Sequence, residues 1–251
     1  MTARAAYTLE ELVEDGLTSQ SIHDAVASGI PATEILREYV AQRRGMTVWT
    51  LPARADLHIV RQLFRFGARA DERIMHDALN KDRRLFTTLI EEGGGDVDAI
   101  EGFGRTLLMC AAFGQDVEAT RILLEHGADV NIIEGVEGQT ALHYAAQSSA
   151  DVLEILLQEP TIDVNVKTFE GKTPLMVAAE HHCQYCVRLL LKNPSLDLTA
   201  VDNEGVSTLD YIDRYERHLS EYARSIPDRR RWDSKSGWIE GIMRASQSRP
   251  Y

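Results

Sequence analysis

The 251-residue chain has no run of about 18 apolar residues, the length a helix needs to cross a bilayer, and this excludes a spanning helix. Its start, MTARAAYTLEELVEDG, is acidic and polar where a secretory leader needs a basic and then an apolar stretch, so the expected compartment is the cytoplasm or nucleus. Cysteine is scarce. Cys110, Cys183 and Cys186 form an odd, sparse set, which argues against the disulfide framework of a secreted domain. Lysine is scarce too, occurring only at 81, 167, 172, 192 and 235, so most of the 27 basic residues are arginine. Catalytic signatures are missing: there is no Ser/His/Asp order, no Gly-rich phosphate loop and no HExxH, and the carboxylates are scattered. What is present, 44% hydrophobic and 26% charged residues, is ordinary for a globular protein that buries a core.

A formal charge of -12 discourages nucleic-acid binding, which needs clustered cations to displace counterions from phosphate. The charge is unevenly spread. Residues 1–36 carry -5, 37–84 carry +5, 85–100 carry -4, 101–205 carry -10 and 213–251 carry +3. An acidic middle therefore lies between two arginine-rich blocks.

Four segments fall into register: GRTLLMCAA from Gly104, GQTALHYAA from Gly138, GKTPLMVAA from Gly171 and GVSTLDYI from Gly205, at spacings of 34, 33 and 34. A glycine before each unit permits a tight turn, and Thr or Ser two residues later can cap the helix that follows. The small pairs Ala111-Ala112, Ala145-Ala146 and Ala178-Ala179 let neighbouring helices approach closely. Leucine-rich stretches at 122–124, 155–157 and 189–191 supply a second helix. A unit of turn, helix, loop and helix this small cannot bury its own apolar face, so the units must stack.

The sequence resembles the ankyrin-repeat family. Its pattern is matched by Thr140, Leu142, His143, Ala145 and Ala146 in one unit, by Thr173, Pro174 and Leu175 in the next, and by Gly127, Ala128, Asp129, Val130 and Asn131 in another. Leu107 and Ala141 stand where the family has proline, and Glu159-Pro160 and Asn193-Pro194 replace a Gly-Ala turn. The resemblance implies an all-α solenoid with short β-hairpin turns and helical caps at both ends. It also implies that His143, and by register His76, fix a turn through hydrogen bonds between repeats.

The expected organisation is an N-terminal helical cap or degenerate repeat at 1–45, degenerate repeats at 46–104 and well-formed repeats at 105–206. A capping helix at 207–226 and a basic tail at 227–251 follow. The echo of His23-Asp24-Ala25-Val26 in His76-Asp77-Ala78-Leu79 gives the first segment a repeat ancestry. A short amphipathic helix around Trp238, Ile239, Ile242 and Met243 is expected in the tail.

Cys183-x-x-Cys186 behind His181-His182 has half the ligands of a structural zinc site and no second pair, and as a redox pair it lacks the strand-to-helix context of a thioredoxin-like site, so the reading is a core Cys186 and a loop Cys183 without special chemistry; no metal and no cofactor are expected. The resemblance places partner contacts at hairpin tips and the concave face: Phe103, Arg105, Val136, Glu137, Gln139, Phe169, Glu170 and Lys172 at tips, and Phe113, Gln147, Glu180 and His181 on helices. Arg54, Arg61, Arg65 and Arg69 form a separate candidate patch for an anionic partner, the central members on one helix face. The function expected is a non-catalytic, monomeric interaction module whose acidic groove holds a basic or amphipathic protein segment. Nucleic acid is disfavoured but left open by the arginine blocks. Two alternatives stand beside it: an ankyrin-like chain recruited as an enzyme, as in aminoacyl-tRNA-dependent, arginine-containing cyclodipeptide synthases, and a substrate-recruiting subunit of a ubiquitin ligase or similar assembly.

Overall fold

The computed structural model describes residues 17–42, 55–100 and 104–214. They fall into two compact units, Met1–Leu107 with Ile122–Ala128, and Leu108–Arg121 with Asp129–Tyr251. The described residues are helical apart from turns and two isolated antiparallel bridges, Ile100 with Thr106 and Val201 with Ser207, which stand where the hairpins were expected. The tail helix around Trp238 and the far part of the capping helix lie outside the described residues.

In the first unit α1 (Ser19–Ala27) packs on α3 (Ala55–Arg65), α2 (Ala32–Gln42) packs on α4 (Glu72–Lys81), and α5 (Arg83–Glu91) lies against α4. The core is Ile22, Ile35, Leu36, Leu63, Met75, Phe86 and Leu89, all fully buried. Helices α1 and α3 end alike, on a left-handed glycine, Gly29 or Gly67, after which the N–H of Ile30 or Ala68 returns to the carbonyl of Ala25 or Leu63. Helices α2 and α3 pack on each other. The boundary expected at 45–46 falls between these two packed helices.

His76 also differs from the expectation. Asp71 caps α4 by accepting the N–H of Ile74, so this helix starts early and His76 sits beyond its first turn, beside Asn80 one turn on.

The second unit holds α6 (Leu107–Phe113) except its first residue and the start of α7 (Val117–Glu125), then α8 (Ala141–Ser148), α9 (Ala150–Leu156), α10 (Pro174–Glu180) and α11 (Gln184–Leu191). Helix α8 packs on α10 and α9 on α11, the stacking of two successive repeats. Ala145, Ala146, Ala178 and Ala179 are buried where the helices meet, and Leu142, Leu153, Leu156, Leu175 and Leu190 fill the core. Each fully buried leucine contributes about 1.5–3 kcal/mol relative to exposure. A last helical segment, 208–214, begins at a reciprocal cap between Ser207 and Asp210 and buries Ile212.

Polar bonds set the spacing of these repeats. The Asn131 amide donates to the Thr161 carbonyl (2.7 Å) and accepts from the Asp163 N–H (2.9 Å). One repeat later Asn165 does the same with Ser195 and Asp197 (both 2.8 Å). His143, which has no solvent exposure, accepts the Thr140 N–H at Nδ1 (3.1 Å) and donates from Nε2 to the Lys172 carbonyl (3.2 Å). Burial pushes its pKa down to about 4, against the opposing bonds to the Lys172 and Val166 carbonyls. In the next repeat Met176 takes this place, its sulfur 3.5 Å from the Thr173 nitrogen.

One sequence expectation is overturned here. Cys183 and Cys186 are joined by a disulfide, with Cα atoms 5.3 Å apart. The N-cap and third residue of a helix lie one turn apart, within ordinary bridging range.

Because unfolded His143 takes a proton near 6.5 and the folded residue only near 4, stability falls as the pH drops through that window, by on the order of 3 kcal/mol from this residue. Urea unfolding at pH 7 and at pH 4.5 checks this. His143→Met, the side chain the next repeat uses, should remove this residue's part of the acid loss while costing about 1 kcal/mol at pH 7 for the missing bond. Asn165→Ala should cost about 1–2 kcal/mol by the same assay, with Asn165→Asp intermediate because it keeps only the acceptor.

Candidate partner-binding groove

One face of the second unit is built from the turns that precede α8, α10 and the last segment. Each turn is pinned by one side chain at the same register position. The buried Glu134 carboxylate accepts the N–H groups of Val136 and Glu137, the Thr168 hydroxyl accepts that of Lys172, and Asp202 accepts those of Glu204 and Val206 (2.9 and 2.8 Å). Successive turns then join by backbone bonds, Phe169 N–H to the Glu137 carbonyl (2.8 Å) and Asn203 N–H to the Glu170 carbonyl (2.9 Å). Gly138 is required at this junction: it has φ +76°, and a Cβ there would lie 2.6 Å from the Phe169 ring.

Two clefts open along this face. One, of about 560 Å³, is bordered by Val136, Glu137, Gln139, Gln147 and His181. The other, of about 730 Å³, is bordered by His182, Asp202, Glu204, Tyr211 and Arg214. Phe169, Glu170, Lys172 and Glu180 line both and form the wall between them. Nine of the expected contact residues thus come together: Val136, Glu137, Gln139, Gln147, Phe169, Glu170, Lys172, Glu180 and His181.

Their roles divide. Val136 and Phe169 are 66% and 60% exposed, large apolar groups facing water on turn tips. Gln139 is buried instead, its amide donating to Glu137 (2.6 Å) and accepting from Gln147 (3.1 Å), so it holds the floor. Lys172 is an internal counter-ion. Its ammonium is 3.0 Å from Glu170 and 2.9 Å from Glu180. Partial burial works against its charge, but the bonds to Glu180 and Glu170 outweigh this and hold its pKa well above the usual lysine range.

The last turn adds residues that the sequence reading missed. The Tyr211 hydroxyl donates to Asp202 (2.8 Å), and Arg214 lies over the Tyr211 ring (5.8 Å to its centre). Burial and the Asp202 bond push the Tyr211 phenol up to about 12. Desolvation resists the charge of Asp202, but the bonds from Tyr211, Val206 and Glu204 keep its carboxyl below the usual range. The signal was available in sequence: Asp202 is Glu134 displaced by two repeats, 68 residues on.

Phe113 is 58% exposed on α6, edge-on to the Tyr144 ring (6.0 Å), and borders neither cleft. Phe103 and Arg54 lie outside the described residues. Arg105 is half-buried and belongs to the first unit. In the proposed arginine patch, Arg61 is engaged by Glu92 through two-pronged bonds of 2.7–3.0 Å, Arg65 is the last residue of α3, and Arg69 lies past the helix in the turn, its backbone N–H on Thr33. The central members expected on one helix face, Arg61 and Arg65, do share α3 four residues apart, while Arg69 lies beyond its end. Among the described residues no group of three or more His, Cys, Asp or Glu is placed to hold a metal, and no helix is long and apolar enough to cross a membrane.

Comparison with known proteins agrees with this geometry. Residues 74–168 match the family model of ankyrin repeats in three copies, and residues 170–203 match that of a further single ankyrin repeat. No curated protein matches the chain. With stacked helix pairs, glycine-led turns and family matches over half its length, the chain belongs to the ankyrin-repeat family, whose repeats serve as protein–protein interaction modules.

Proposed function

We propose that the groove of the second unit captures a basic or amphipathic segment of another protein, without catalysis. One observation carries this reading: the exposed Phe169 stands on the wall between two clefts and is flanked by carboxylates. Five acidic side chains border the clefts, Glu137, Glu170, Glu180, Asp202 and Glu204, against the cations Lys172 and Arg214. An apolar anchor within a negative field suits a partner that brings an aliphatic or aromatic side chain among lysines and arginines. The aromatic supplies most of the affinity, and the field speeds encounter and rejects acidic competitors. Because Lys172 already neutralises part of Glu170 and Glu180, the field is weaker than the carboxylate count suggests.

A random peptide library displayed against the full chain tests this. Enriched peptides should be net positive with at least one large apolar residue, and Phe169→Ala should weaken them about tenfold or more. Enrichment of acidic peptides, or of peptides indifferent to Phe169→Ala and Glu180→Gln, would count against the groove. Lys172→Gln gives a further check with the opposite sign. Freed of their internal cation, Glu170 and Glu180 should tighten binding of a selected basic peptide several-fold at low salt, with the gain fading as salt screens the field. Fluorescence anisotropy at two ionic strengths measures both.

A further inference from the structure

The second helices of the repeats start in one manner. Asp82, at the N-cap of α5, accepts the N–H of Leu85, three residues on (3.2 Å). Asp116, just before α7, accepts that of Ala119 (3.0 Å), and Ser149, at the N-cap of α9, accepts that of Val152 (3.3 Å). The next position in this series, at the same spacing of 33 or 34, is Cys183, and its partner three residues on is Cys186. Cys183 is the N-cap of α11 and makes no side-chain cap bond. A disulfide joins the two positions instead. Both members of the capping contact have become cysteine, and a covalent bond stands where the other repeats place a hydrogen bond.

This bridge is a poor staple. It spans three residues of one helical turn, so it ties no two elements together and removes less unfolded-state freedom than a bridge closing a long loop. What it can change is the helix end itself. A thiol is a weak acceptor, so the dithiol form leaves α11 without the cap its neighbours have. The two sulfurs also differ in access. Cys186 is fully buried, its Sγ 3.8 Å from the Ala145 carbonyl oxygen. Cys183 is half-buried at the end of a loop that exposes His181 and His182. An external thiol can reach only Cys183.

We propose that Cys183 and Cys186 form a thiol–disulfide exchange site for low-molecular-weight thiols, entered at Cys183, which switches the start of α11 between a covalently capped and an uncapped state. A thiolate of the glutathione class attacks Cys183 Sγ. The S–S bond breaks, its electron pair leaves on Cys186 Sγ, and that sulfur takes a proton. A second thiolate attacks the external sulfur of the mixed disulfide, releasing the small disulfide and the Cys183 thiolate. Two small thiols are oxidised to one disulfide, and two electrons reduce the protein bridge; a small disulfide runs the steps in reverse.

The switch is local. The N–H of Val187 bonds to the Cys183 carbonyl (3.0 Å), the first rung of the helix, so uncapping should release Val187 and Arg188 first. The inference does not depend on what the groove binds, and its test uses no partner. The full chain is equilibrated in buffers of defined glutathione to glutathione-disulfide ratio, alkylated, and mapped by peptide mass spectrometry, with amide hydrogen exchange followed in parallel. The bridge should appear and disappear in one two-electron transition. Exchange at Val187 and Arg188 should quicken at least threefold on reduction, while amides of α4 keep their rates. Cys183→Ser restores a hydroxyl cap like that of Ser149, so its Val187 and Arg188 amides should stay protected in both buffers. Cys186→Val should leave Cys183 trapped as a glutathione adduct. A pair that remains dithiol in glutathione disulfide alone, or a bridge that resists reduced glutathione, overturns the proposal. So does equal exchange at Val187 and Arg188 in both states, or Cys186→Val without an adduct.

Discussion

A repeat of 33 or 34 residues can neither bury its apolar face nor satisfy its turn by itself, so the second unit depends on the bonds that one repeat makes to the next. Asn131 and Asn165 show the constraint most directly. Each amide uses its donor and its acceptor on backbone groups of the following repeat, 30 and 32 residues on, which fixes the spacing of the stack. His143 adds a buried rung to the Lys172 carbonyl, and the Phe169 N–H another between turn tips. These bonds fall on framework positions, and the side chains between them are left free to vary.

That division explains the charge. Of the formal -12, -10 lies in residues 101–205, yet the carboxylates there serve two ends. Glu134 and Asp202 are buried and spend their oxygens on backbone N–H groups, holding turns in shape. Glu137, Glu170, Glu180 and Glu204 border the clefts. Thr168 performs the framework task with a neutral hydroxyl, so the charge at Glu134 and Asp202 is not needed for shape alone. The acidic field is therefore partly a by-product of turn chemistry and partly a property of the surface, with Lys172 set between the two kinds.

Much of this was legible in sequence wherever a local rule dictates the residue. Gly138 announces a left-handed turn because any Cβ there would strike Phe169, and Thr140 with His143 announces a cap because the two meet within one turn. What was hidden depends on where a helix begins or on contacts across the fold. Periodicity set His76 beside His143, but Asp71 starts α4 early and leaves His76 facing Asn80. Gln139 reads as a tip residue until its amide is seen between Glu137 and Gln147. The cysteines misled for another reason: as ligands or scattered thiols they are unremarkable, and only the cap register of Asp82, Asp116 and Ser149 makes their positions meaningful.

Nearest-neighbour coupling also limits how far any local event travels. In stacked repeats a change at one helix end is felt by the adjoining repeat and little beyond it. The loop joining α10 to α11 is well placed within that range, for His181 borders one cleft and the next residue, His182, borders the other. His182 holds a left-handed conformation (φ 57°) that a non-glycine side chain adopts only when its surroundings fix it, here by the bonds of residues 182 and 183 back to the carbonyls of Ala179 and Ala178. The wall of Phe169, Glu170, Lys172 and Glu180 belongs to the same repeat as this loop. One repeat therefore carries the exposed Phe169, the internal counter-ion Lys172 and, among the described residues, the only disulfide.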